Sequence, residues 1–118
     1  GMGKLSIMDY TEFRKYVEEN TRAQGKFLEK ATIYLLDKNV SRQSSAKWPD
    51  SRIEKEANKM WDMNISGAFI SVSEGIKNAE NKPRFHNHEE QVSYWINFMN
   101  EYEFLENFTD GIDDMEFE

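Results

Sequence analysis

Residues 51–79 read SRIEKEANKMWDMNISGAFISVSEGIKNA, and their periodicity sets the class of the whole chain. Ile53, Ala57, Met60, Trp61, Ile65, Ala68, Phe69, Val72, Ile76 and Ala79 recur at three- and four-residue steps, the signature of one apolar helix face. Within that run, Phe69 to Ser73 also alternates apolar and polar, which taken alone suits a strand. The unbroken stripe on both sides favours helix. Ser51 with Glu54 has the layout of a capping box that would open the helix. Ser66, Gly67, Ser71 and Gly75 lower its propensity, a cost that close approach of a neighbouring helix would offset.

Upstream, Tyr10, Phe13, Val17, Gln24, Phe27, Leu28, Ala31, Tyr34 and Leu35 form a second stripe, and Asp9 with Glu12 supplies its capping box. Asn20, Thr21 and Gly25 interrupt it, and Thr21 with Gln24 has cap chemistry of its own. The reading is one helix from about Asp9 to Asp37, or two meeting near Asn20. Residues 38–50 form a loop rich in Ser, Asn and Gln, closed by Trp48-Pro49. Downstream, Asn81, Lys82 and Pro83 end the long helix, and Asn87 with Glu90 opens the next. There Val92, Trp95, Met99 and Tyr102 make one face, and Tyr94, Phe98, Leu105 and Phe108 an adjacent one. An arc that wide needs more than one neighbour, inside the bundle or on another molecule. Residues 109–118 show no sustained period.

The chain has 118 residues and a net charge of -7, yet residues 85–118 hold ten carboxylates and no Lys or Arg. That segment alone is at -10, so the preceding residues sum to +3. A surface of that sign repels nucleic acid and anionic lipid and speeds encounter with basic protein surfaces. With no cysteine there are no disulfides, zinc-thiolate sites or thiol nucleophiles, which fits a reducing cytoplasm. No run of 18 apolar residues and no secretory leader are visible, so a cytoplasmic location without membrane insertion is expected. Gly1 ahead of Met2 reads as a tag-cleavage scar.

Each candidate for chemistry falls short of its motif. His86-Asn87-His88-Glu89-Glu90 offers two imidazoles and carboxylates, but no third ligand sits at a helical step from both. If Gly111 took the sixth place of a calcium loop, Phe108 and Phe117 would fill the third and twelfth, where oxygen ligands are required. Glu103 and Glu106 are one turn apart, as in helical magnesium-dependent hydrolases, but Glu54, Glu56, Asp62 and Glu74 provide no matching pair. Arg84 and His88 stand too close for the arginine–histidine pair of helical ribonucleases. Lys38, Arg42, Lys47, Arg52, Lys55 and Lys59 surround Trp48, a pattern suited to single-stranded nucleic acid. Asp50, Glu54 and Glu56 dilute that charge, and the acidic C-terminal residues could fold across it. Nucleic-acid binding is disfavoured in a chain of pI ≈ 4.9.

The expected fold is all-α, a compact bundle of three to four helices forming one domain over residues 5–108, with a flexible acidic tail over 109–118. The expected function is non-enzymatic: a small binding or regulatory protein of the inhibitor, immunity or anti-defence kind. It would meet a basic target through Trp95, Phe98, Glu101, Tyr102, Glu103, Phe104 and Glu106, by carboxylate steering and aromatic anchoring. No catalytic residue, metal or cofactor is expected. The competing readings are a homo-oligomeric scaffold, joining the basic first half of one copy to the acidic last helix of another, and a helical metal-dependent nucleotide hydrolase.

Overall fold

The computed structural model describes residues 8–79 and 83–118. Its helices are α1 (Tyr10–Asn20), α2 (Ala23–Val40), α3 (Asp50–Lys77), α4 (His88–Glu101) and α5 (Phe104–Asp113), with a 3-10 turn at Ser44–Ala46. The chain is all-α, and among the described residues there is no strand. Phe69 to Ser73 is helical, in the C-terminal third of α3.

Three to four helices become five because two stripes break. The first stripe breaks at Thr21, whose extended backbone separates α1 from α2. Its hydroxyl donates to the Val17 carbonyl (2.9 Å) and accepts from the Ala23 amide (3.1 Å), so the polar groups freed at the break find local partners. The second break is at Tyr102-Glu103, where Glu103 adopts φ 52° and turns the chain from α4 into α5. The first break falls where Asn20 and Thr21 interrupt the stripe, but three- and four-residue spacing runs on through the second, so apolar periodicity does not mark that one.

Caps agree with the sequence in part. Asp9 and Glu12 form the full reciprocal box. The Asn87 side chain accepts from the Glu90 amide (2.9 Å), while the Glu90 carboxylate reaches one residue further out, to the His86 amide (3.0 Å). The box expected from Ser51 and Glu54 is absent. Helix α3 starts at Asp50, after Pro49, whose carbonyl accepts from the Arg52 and Ile53 amides. Proline's fixed φ leads the chain into the helix there without a side-chain cap.

Helix α3 is the spine, and α1 and α2 run antiparallel to it. Phe13 and Tyr10 meet Phe69 near one end, and Phe27 meets Trp61 further along. Ile53, Ala57, Trp61, Ile65, Val72 and Ile76 are buried along α3, as their spacing requires. A polar clasp fixes α1 to this spine. Arg14 donates to Asp62 (2.7 Å) and Glu18 (2.8 Å), and Trp61 Nε1 donates to the same Glu18 carboxylate (2.7 Å). Helix α4 crosses the far end of α3, where the Phe98 ring lies 3.2 Å from the position a Cβ would take on Gly75. Close approach therefore explains Gly75. Gly67 faces open space and needs another account.

The bundle is longer than the compact form expected. Its radius of gyration is 17.8 Å and its extents are 59 × 31 × 22 Å, against roughly 13 Å for a compact chain of about this size. The 28 residues of α3 alone rise about 42 Å. The expected boundary at Phe108 runs through the middle of α5, and the residues beyond it are packed. Ile112 is 1% exposed, and Phe117 sets its ring edge against Phe27 at 5.2 Å. Lys26 pairs with Asp113 (2.8 Å), Lys30 donates to the Met115 carbonyl (2.8 Å), and the Tyr34 hydroxyl donates to the Glu118 carbonyl. Polar punctuation at Asp110-Gly111 obscured a helical stripe of Leu105, Phe108 and Ile112 that closes over α2.

Candidate functional site

The seven residues expected to meet a partner divide between core and surface. Trp95 is 2% exposed and stacks on Phe69 at 5.6 Å. Phe104 is half-buried between Phe13 (5.9 Å) and Phe108 (5.4 Å), and half-buried Phe98 covers Gly75. These three are not free anchors. Most of the aromatic arc of the C-terminal helices is covered inside the molecule, Trp95 and Phe98 against α3, and Phe104 and Phe108 against Phe13 of α1 and Trp61 of α3. Trp95 is thus corrected from surface to core.

The other four residues come together at the α4–α5 corner. Glu101, Tyr102 and Glu103 are consecutive and exposed, and Glu106 is exposed one turn into α5. Tyr102 is 62% exposed, with its ring held against Phe98 at 4.8 Å. Among the described residues none of the three carboxylates forms an ion pair. Partial burial, then the negative charge of Glu106, raises the Tyr16 hydroxyl above its ordinary pKa. Beside the corner an open groove of ≈ 660 Å³ has Gly75, Phe98, Glu101 and Tyr102 among its walls.

The basic residues are differently placed. The Arg42 and Arg52 guanidinium carbons each stand 4.1 Å from the Trp48 ring centre, and Lys47 donates to the Asn39 (2.7 Å) and Val40 (3.1 Å) carbonyls at the end of α2. Trp48 also packs against the core and is clamped by Asn39, which accepts from its amide (2.8 Å) and donates to its carbonyl (3.0 Å). The ring that could have stacked a base is thus engaged by the protein's own arginines. The C-terminal residues lie along Lys26, Lys30 and Tyr34 of α2, not across this loop.

The two histidines pair with different carboxylates, His86 Nδ1 with Glu90 (3.1 Å) and His88 Nε2 with Glu12 (2.8 Å). The second contact ties α4 to α1, and nothing in the sequence spacing links positions that far apart. Hydrogen bonds from the His86 amide, then from its imidazole, hold Glu90 below the usual carboxylate range. Among the described residues no group of three or more His, Asp or Glu is placed to hold a metal ion, and no helix is long and apolar enough to cross a membrane. No family model, curated protein or solved structure matches the chain.

Proposed function

We propose that the protein is a binding protein whose α4–α5 corner docks on a basic protein surface, and that it acts as an inhibitor or antagonist by covering that surface. One observation carries the reading. Tyr102 stands largely exposed amid Glu101, Glu103 and Glu106, on a corner held by the half-buried rings of Phe98 and Phe104. An amphipathic ring ordered before contact loses little conformational entropy on docking. Carboxylates that make no internal pair are free to steer a cationic surface at long range and then to pair with its Arg or Lys. The packing of Phe98 and Phe104 beneath them sets the geometry in advance. A target that is itself built to bind polyanions would present the matching charge, and a protein seated on it would exclude them.

Site-specific cross-linking tests this. A photoreactive phenylalanine analogue replacing Tyr102 should trap a basic protein in the source cell, and the same label replacing exposed Asn58 should not. The Tyr102 adduct should fade when Glu101, Glu103 and Glu106 are changed to Gln. Equal trapping from both positions, or none from Tyr102, would refute the proposal.

A further inference from the structure

The face of α3 turned away from the core carries Lys59, Met63, Ser66, Gly67, Ile70 and Glu74, which fall within one arc at 100° per residue. Met63 is 72% and Ile70 57% exposed, while a Cβ on Gly67 would touch nothing. Among the described residues no helix covers this apolar strip. Among the described residues neither Lys59 nor Glu74 forms an ion pair. The order along the helix is cation, apolar, small, small, apolar, anion. Reflected about the bond between Ser66 and Gly67, Lys59 falls on Glu74, Met63 on Ile70 and Ser66 on Gly67.

A two-fold axis requires that symmetry. In an isologous contact, residue i meets residue j of the partner and residue j meets residue i. We infer that α3 is a self-association surface, on which a second copy of this chain lies antiparallel with the axis passing between Ser66 and Gly67. Lys59 then meets Glu74 of the other copy twice, Met63 covers Ile70 twice, and the small pair lets the two backbones approach at the crossing. This gives Gly67 the role that its own fold does not. A parallel pairing would set Lys59 against Lys59 and Glu74 against Glu74, so charge selects the antiparallel arrangement. The contact is one helix face wide, so the dimer forms and dissociates with concentration. It is independent of the proposed α4–α5 docking site, which belongs to helices packed on the other side of α3.

Light scattering on the full chain over a concentration series should show monomer passing to dimer. Lys59→Glu and Glu74→Lys each place like charges together at two symmetric positions and should each weaken the dimer by about tenfold. The double variant exchanges the charges and should restore it. The chain has no cysteine, so single thiols report the geometry. Gly67→Cys, near the axis, should cross-link into a covalent dimer on oxidation. Lys59→Cys should not, because the two copies of that position lie about 22 Å apart in the antiparallel pairing. All four single-site changes are exposed, and circular dichroism confirms that each variant is folded. A monomer at every concentration, dimerisation indifferent to both charge reversals, or cross-linking through Lys59→Cys as readily as through Gly67→Cys would overturn the inference.

Discussion

Gly67 and Gly75 lie about two turns apart on α3 in opposite surroundings, and the difference sets what alanine would do at each. At Gly67 a methyl group meets nothing, so Gly67→Ala should stabilise the folded monomer by about 1 kcal/mol through helix propensity. At Gly75 the methyl would stand 3.2 Å from the end of the Phe98 ring, and displacing that ring should cancel or reverse the gain. Urea titration at low protein concentration measures both, and equal gains would mean that Phe98 does not pack as described. Phe69 touches the Tyr10, Phe13 and Trp95 rings. Phe69→Ala should therefore cost about 3 kcal/mol even though the residue is only half-buried, and a loss under about 1 kcal/mol would contradict this packing. Gln91 is 5% exposed and its Oε1 lacks a hydrogen-bond partner. An orphaned buried acceptor lowers stability, so Gln91→Leu should leave stability unchanged or raise it by about 1 kcal/mol. A clear loss would mean that the amide is satisfied, for example by a buried water.

At the scale of elements the α4–α5 corner depends on one unfavourable backbone conformation. Glu103 sits at φ 52°, a region that costs a residue with a Cβ about 1 kcal/mol. Glu103→Gly should raise the melting temperature or leave it unchanged; a marked loss would mean that the residue is an ordinary member of a continuous helix. The start of α4 should respond to pH. Glu90 is held below its ordinary pKa by the His86 amide and imidazole. Its contribution is therefore present above the unfolded carboxylate range and lost as pH falls through the lower folded value. The His86 amide resonance should shift over that acid range, and Glu90→Gln should abolish the shift. How much of this the sequence discloses differs by element. The stripe from Ile53 to Ile76, the Asn87 cap and the interruption near Asn20 can all be read, because they depend on neighbours three or four residues away. The corner at Glu103 cannot, since the apolar steps continue across it. The burial of Trp95 and Met99 against α3 follows from the centres of the two stripes, whereas the packing of Ile112 and Phe117 on α2 cannot be read, since it depends on a helix distant in sequence.

For the whole molecule, charge and shape act together. The C-terminal segment carries all of the chain's net negative charge, and folding divides that charge by use. Asp113 pairs with Lys26 and Glu90 with His86, while among the described residues Glu101, Glu103 and Glu106 at the corner form no ion pair. The sequence shows that the segment is acidic with interleaved aromatics; only the fold separates steering carboxylates from pairing ones, and core rings from Tyr102. Exposed charges of this kind add little to stability, so changing the three to Gln should leave unfolding almost unaffected. The most direct test is the association rate of the chain with the basic protein trapped through Tyr102, measured by stopped flow across a range of ionic strength. If the corner steers its partner, the wild-type rate falls steeply with salt, and the triple Gln variant associates more slowly with a flatter dependence and a nearly unchanged dissociation rate. Equal association rates and equal salt slopes for the two proteins would contradict it.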